Sequence, residues 1–444
     1  MKNIFRILLA CAWFAAAAAG CTESPRTPAG QAVPERVLGV YRLYPGCEIP
    51  PPTPDGYSAC YISHYGRHGS RFLLEETPYR RVRDVLARAE ADGRLTEAGE
   101  RAYAELLGVW PQFEGRAGEL TSVGADQHRA IARRMAERQG SVFAANGVVR
   151  ASASATSRTQ ESMKAFCGQL QTSFPHIRIV RTTDAALNPY SAASGIPRPD
   201  DLRTKSPEAE WRPEFDRFCR QRLDPPTFCR RIFTDTAYAA GLCEPADFER
   251  DFYHLAIHFA GCGMDIDWLR LFPLDELTAL AECDAYVFYQ EKGPSCRTSD
   301  RTWALSAHIL RKILADAESA AAKGIAADLR FGHDGCIMSL LTLMQVDGWT
   351  ERTAVPEEAA RMWDVSQIPM ACNLQWIFYR PCQDGGETLV RILLNEAPLR
   401  LPVTDRTGLC PWTEMKRFLE ERCAAAFAIL DEDNTNISKS NLIH

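Results

Sequence analysis

The sequence predicts a mixed α/β fold, with a central mixed sheet flanked by helices and a smaller, mainly helical cap. Three observations point there. Short apolar or β-branched runs stop abruptly at charged or small polar clusters and pass into helical sequence at Cys60–Arg71, Val148–Arg158 and Ala326–Gly335. Strands that end this way bring their clusters to a sheet edge, where α/β proteins bind ligands. Two further runs, Leu374–Tyr379 and Thr388–Leu394, flank Gly385-Gly386 and read as a β-hairpin. From about residue 185 to 300 the strand signal fades, and Arg, Pro, Cys and Trp gather around helical pieces such as Phe248–Phe259 and Pro273–Gln290.

Taken in order, residues 1–20 read as a signal segment. Lys2 and Arg6 accompany an apolar run from Ile7 to Ala19, and small residues precede Cys21. The pattern resembles a bacterial lipobox, with Cys21 as the lipid-bearing residue. The expected product is an exported cell-envelope protein, in the periplasm or on the outer membrane of a Gram-negative bacterium, tethered through that lipid. Residues 21–36 lack apolar periodicity and read as a flexible stalk. The core is expected over 37–184 and 301–444, interrupted by the cap at 185–300. Its first strand lies around Ala59–Ser63. Helices follow at Tyr79–Ala91, Glu97–Gly108 and Ser122–Gln139, the last capped by Thr121 or Ser122. A second strand starts at Val148 and runs into a helix through Met163, Phe166 and Leu170. After the cap come the strand from Ala326, a helix over Cys336–Val346, the hairpin and a last helix over Trp412–Leu430. A polar tail follows from Asn434.

With 46% hydrophobic and 24% charged residues over 444 positions, the composition is that of a soluble globular chain with a sizeable core. A net charge of −6 gives no overall nucleic-acid footprint, so any anion site must be a local concentration of arginine. Of sixteen cysteines, Cys11 falls in the signal segment and Cys21 would carry lipid. An even number then remains in an exported chain, which predicts several disulfides. No C-x-x-C occurs, which disfavours structural zinc. His254 and His258 stand at i and i+4 but lack the glutamate of H-E-x-x-H, so a packed pair is expected. His128, His176 and His308 read as structural or solvated.

The chemistry concentrates in Arg67-His68-Gly69-Ser70-Arg71 and in His333-Asp334. Arginine suits bidentate contact with phosphate oxygens. A histidine between fixed cations has its pKa pushed down and stays nucleophilic in mild acid. Phosphoryl transfer through histidine needs an attacking nitrogen, cationic donors for the equatorial oxygens and an acid for the departing alkoxide. His68 is the expected nucleophile and Asp334 the acid, then base toward water. Arg67, Arg71, Arg158 and His333 are the expected phosphate ligands. No metal and no cofactor are called for, because arginines neutralise the phosphate.

Arg67–Arg71, Leu120-Thr121 with Gly124, the Arg158 turn and His333-Asp334 stand in the order found in histidine acid phosphatases, which the chain resembles over roughly residues 37–430. That family includes phytases and multiple inositol polyphosphate phosphatases. The segment from Leu393-Leu394-Asn395-Glu396 to Pro411-Trp412 resembles the inositol polyphosphate branch. Phe72-Leu73 stands where many members have proline, and His333-Asp334-Gly335 where that branch has His-Ala-Glu. The resemblance implies a phosphoglycerate-mutase-like core, a phosphohistidine on His68 and phosphomonoesterase activity on a small phosphorylated substrate, inositol polyphosphates foremost. A broad-specificity acid phosphatase, a mutase and a non-catalytic phospholigand-binding lipoprotein are the alternatives.

Overall fold

The computed structural model describes residues 28, 31–45, 52–144, 147–197, 208–383 and 385–440, with side chains as far as Asp431. The signal segment and Cys21 lie outside the described residues. A short helix α1 (Glu35–Leu38) precedes strand β1 (Tyr57–Arg67), followed by α2 (Thr77–Ala91), α3 (Glu97–Val109), α4 (Ser122–Arg138) and α5 (Gly140–Ala144). Next come β2 (Val148–Ala153), α6 (Ser157–Ser173) and β3 (Arg178–Thr183). A helical stretch holds α7 (Arg212–Arg222), α8 (Pro225–Ile232), α9 (Thr236–Leu242), α10 (Pro245–His258) and α11 (Leu274–Lys292). Then follow α12 (Arg301–Ala304), α13 (Ala307–Ala320), β4 (Ile325–Gly332), α14 (Asp334–Leu343) and α15 (Pro356–Met362). The chain ends with β5 (Asn373–Pro381), β6 (Leu389–Leu394), β7 (Ala397–Pro398), β8 (Leu409–Pro411) and α16 (Trp412–Ser440).

One mixed sheet runs β3-β2-β4-β1-β5-β6-β7, with β8 on β6. The first four strands are parallel, and β5 and β6 are antiparallel to their neighbours. Parallel strands are covered on both faces, and alternate residues of β1 divide accordingly. Tyr61 and Tyr65 enter the apolar cluster formed with α13, α14 and α16, whereas Ile62 enters the one formed with α4 and α6. The pairing of Arg67 with Gly332 and of Ala153 with Phe331 brings the C-terminal ends of β1, β4 and β2 side by side. All three sequence-predicted junctions therefore meet at one edge.

A third apolar cluster joins α2 and α3 to α8 and α10, around Phe228, Phe252, Trp268 and Phe272. Residues from before the expected cap thus share a core with it, while Phe215, Phe218 and Tyr286 of α7 and α11 pack with the main sheet. The edge strand β3 was not expected; its residues are largely exposed, so it shows little apolar pattern. The stalk expectation over 21–36 is corrected at its end: Val33 is buried, Glu35 and Arg36 belong to α1, and the Arg36 guanidinium donates to the carbonyls of Ala360 and Arg361. A single apolar residue among polar ones left no periodicity to read there. Helix α16 continues past Leu430 to Ser440.

The expectation of several disulfides is not met among the described residues, where all thirteen cysteines are free. Most are buried singly among apolar side chains, Cys167 and Cys336 for example, so they behave as small hydrophobes. Cys219 and Cys283 are the close pair, with sulfurs 3.1 Å apart between α7 and α11.

Candidate active site

The chain leaves the sheet at Arg67. Its N–H donates to the Cys372 carbonyl at 2.7 Å, and that of His68 to the Gly332 carbonyl at 3.0 Å. The loop beyond rests on the starts of two helices. The Gly69 N–H donates to Ser162 Oγ of α6 at 3.1 Å, and the Ser70 N–H to Gln127 Oε1 of α4 at 2.9 Å. Thr121 caps α4 by accepting from the Gly124 N–H, and its hydroxyl donates to the Gly261 carbonyl of the helical region at 2.7 Å. Glycine is required at 69 by close approach, since a Cβ there would stand 2.3 Å from the Gly124 carbonyl oxygen.

The His68 ring is buried, with Nδ1 2.8 Å from the Gly69 carbonyl oxygen. A carbonyl only accepts, so Nδ1 carries the proton and the Nε2 lone pair is free in the neutral ring. Burial is the chief cause that pushes its pKa well below the ordinary histidine value, followed by Arg67, Arg158, Arg71 and His333.

Arg67 is fully buried. Nη1 donates to the carbonyls of Val40 (2.6 Å) and Ile368 (2.9 Å), while Nη2 lies 2.8 Å from Asp334 Oδ2 as an ion pair without a directed hydrogen bond. Arg71 donates from Nη1 to the Phe72 carbonyl and lies 5.6 Å from the Tyr41 ring centroid. The Nε atoms of Arg67, Arg71 and Arg158 are buried without hydrogen-bond partners. Three guanidiniums with buried, unanswered N–H groups around one imidazole leave a strong demand for an anion. Burial lowers the Arg158 pKa to about 10, with Arg71 adding to the effect.

Just past β4, His333 stands at the N-cap position of α14 without a side-chain capping bond, and its ring lies 5.6 Å from that of His68 at 73°. Its Nε2 is 3.0 Å from Ser154 Oγ and 3.4 Å from Thr156 Oγ1, in a hydroxyl cluster completed by Thr159. Burial, then Arg158, takes its pKa down to about 4. Asp334 opens α14, where its Oδ1 accepts from the Gly335 N–H at 2.7 Å. Burial works to raise its pKa, but Arg67, His333 and that N–H outweigh it and hold the carboxyl well below the usual range.

All six sequence-expected residues thus meet at one place. Glu161, Glu396 and the His254/His258 pair do not belong to it. Glu396 is engaged by Arg134, Arg138 and Tyr44, and Glu161 is exposed beside Lys164. His254 pairs with Asp284 at 2.9 Å, and His258 packs edge-on against Tyr41. Among the described residues no group of three or more His, Cys, Asp or Glu is arranged to hold a metal ion. The small polar residues Thr156 and Thr159 at the β2–α6 junction fit an anion-binding turn in the sequence, whereas Ser154 and Ser162 were missed as supporting groups. Tyr41 and Gln127 carried no visible signal.

No protein-family model matches the sequence, and no curated protein matches it. Solved structures do. A multiple inositol polyphosphate phosphatase from Bifidobacterium longum superposes with a TM-score of 0.67 at 20% identity, over 86% of this chain and 97% of that one. The same enzyme has been solved with phosphate and with inositol hexasulfate. The phytase from D. castellii gives 0.66 at 15% identity, over 88% and 85%. The Hafnia alvei phytase gives 0.53 at 13% identity, over 84% and 99%. With its Arg67–Arg71 loop, Arg158 turn and His333-Asp334 turn converging on one sheet edge, this chain has the fold of the histidine acid phosphatases, the family of those phytases and inositol polyphosphate phosphatases.

Proposed function

We propose that this chain is a phosphomonoesterase that works through a phosphohistidine on His68, with inositol polyphosphates such as phytate as its substrates. The observation that carries the reading is the imidazole whose Nδ1 is tied to the Gly69 carbonyl, so that Nε2 is presented among the unanswered N–H groups of Arg67, Arg71 and Arg158. A protein that only bound phosphate would need the arginines and not this orientation. Two of the structural neighbours, the B. longum and H. alvei enzymes, are named for inositol phosphates and were crystallised with hexasulfated inositol, which supports the substrate class.

In the first step the Nε2 lone pair attacks phosphorus, the P–N bond forms and the ester P–O bond breaks. The arginines and His333 hold the equatorial oxygens, and the departing alkoxide takes a proton from Asp334. In the unliganded site Asp334 is an anion paired with Arg67. Bound phosphate brings negative charge beside it and competes for Arg67, and both effects raise the carboxyl pKa toward protonation. In the second step water attacks the phosphohistidine, gives its proton to Asp334 and returns the bonding pair to Nε2. Inorganic phosphate leaves.

The N-terminal segment adds an exported, lipid-tethered location to this reading. A broad-specificity acid phosphatase is the second reading, favoured by His333-Asp334-Gly335 in place of His-Ala-Glu. The deciding experiment uses acid quench during turnover: wild type should yield a labelled phosphoenzyme, and His68→Ala should yield none and hydrolyse nothing. A His68→Ala variant turning over near the wild-type rate would end the proposal.

A further inference from the structure

Three consecutive peptide units carry the loop past His68, and each is held by a different group. The first donates the Gly69 N–H to Ser162 Oγ of α6 at 3.1 Å. The third offers the Ser70 carbonyl to the N–H and hydroxyl of Thr121, at 2.9 and 3.1 Å. The middle unit, between Gly69 and Ser70, has its carbonyl oxygen 2.8 Å from His68 Nδ1 and donates its N–H to Gln127 Oε1 of α4 at 2.9 Å. A peptide unit is planar and trans, so its C=O and N–H point in opposite directions. By holding the N–H, Gln127 aims the carbonyl at the imidazole. The Ser70 hydroxyl donates to the same Oε1 at 3.2 Å, while Gln127 Nε2 is buried without a hydrogen-bond partner. Two donors on one oxygen fix which way the amide stands.

That middle plane has two settings with opposite consequences. As it stands, the carbonyl accepts from Nδ1–H and leaves the Nε2 lone pair for phosphorus. Turned over, it would present the Ser70 N–H to Nδ1, which would have to accept, and the ring proton would sit on Nε2 and block attack. Glycine at 69 leaves the turn open, because no Cβ resists the change in its backbone angles. The flanking units would stay anchored on Ser162 and Thr121. We propose that Gln127 is a positioning residue that holds His68 in its attacking tautomer, acting through the Gly69–Ser70 peptide. This rests on the reaction proposed above for His68.

The test compares Gln127→Leu, which fills similar space without an acceptor, with Gln127→Glu, which keeps one. The readouts are kcat/KM on inositol hexakisphosphate and on p-nitrophenyl phosphate, the Kd of inorganic phosphate, and the tautomer of His68 by nitrogen NMR, its signals identified by their loss in His68→Ala. Losing one buried hydrogen bond shifts an equilibrium about tenfold, so Gln127→Leu should lower kcat/KM by about that factor. Both substrates should fall alike, since attack and not the leaving group is affected. Phosphate affinity should hardly change, an Nε2–H imidazole should appear in the spectrum, and Gln127→Glu should recover most of the activity. Gln127→Met, unbranched and also without an oxygen acceptor, replaces Gln127→Leu if that variant does not fold, and the wild-type spectrum needs neither. A wild-type His68 protonated on Nε2, or an unchanged kcat/KM, overturns the inference. So does a joint fall in activity and phosphate affinity with the tautomer unchanged, which would make Gln127 a strut of the loop. The enzyme reading is judged separately by wild-type turnover: activity on neither substrate would overturn it, and this inference with it.

Discussion

Replacing Asp334 by Asn separates proton donation from phosphate binding, because the geometry assigns the two carboxyl oxygens different work. Oδ1 accepts from the Gly335 N–H at 2.7 Å, and an amide oxygen can do the same. Oδ2 faces Arg67 Nη2 at 2.8 Å, and an amide NH2 there would set donor against donor. Arg67 would stay in place, since Nη1 is held by the carbonyls of Val40 and Ile368, but its charge would lose its partner. A buried group left unpaired costs about 1–3 kcal/mol, so the variant should fold with moderately reduced stability. Phosphate should bind at least as tightly, because Arg67 is freed and one competing negative charge is gone.

Catalysis should respond very differently. An inositol alkoxide is a poor leaving group, and general acid assistance is worth about 10²–10⁴-fold, or about 3–5 kcal/mol of barrier. p-Nitrophenolate departs without a proton and should be slowed far less. The assay is kcat on both substrates for one variant, with phosphate binding measured by calorimetry. If both rates fall by the same factor, or if phosphate affinity collapses, Asp334 is not the acid of the leaving group.

Three further expectations follow from buried groups. His68, His258, His333 (about 4), His64 and His128 (both about 3) have pKa values lowered chiefly by burial. The unfolded chain binds protons at these positions near pH 6.5 while the folded chain does not, so their contribution to stability is lost as pH falls below 6.5. His254, raised by Asp284 against its burial, and Glu249, raised by burial and Glu276, oppose this. The balance is about three protons, or about 4 kcal/mol lost between pH 6.5 and 5.5 in urea titrations; stability that is flat or rising over that range contradicts it. Gly69→Ala should cost activity and several degrees of Tm, as the added carbon meets a backbone carbonyl rather than a movable side chain; a wild-type melting curve would show that the loop yields. Oxidation by a disulfide donor should cross-link Cys219 to Cys283, seen as a linked peptide by mass spectrometry without reduction; both thiols remaining alkylatable would refute the pairing.

The sequence by itself determined the class of fold and the chemical centre of the site. Strand-to-helix junctions are local patterns, and Arg67, His68, Arg71, Arg158, His333 and Asp334 are side-chain types whose chemistry is readable one at a time. What only the tertiary structure decided depends on contacts between segments far apart in the chain. The low pKa of Asp334 rests on a guanidinium 267 residues earlier. The sharing of one apolar core by α2, α3, α8 and α10 rests on packing that no periodicity records. Cysteine count suggested disulfides, but whether two sulfurs meet is a matter of helix placement, which sets Cys219 against Cys283 and leaves Cys167 and Cys336 buried without a partner thiol. Lys292 is the clearest case. In the sequence it is an ordinary helix-terminal lysine, and its stem crosses Gly335 because α11 ends where α14 begins its first turn.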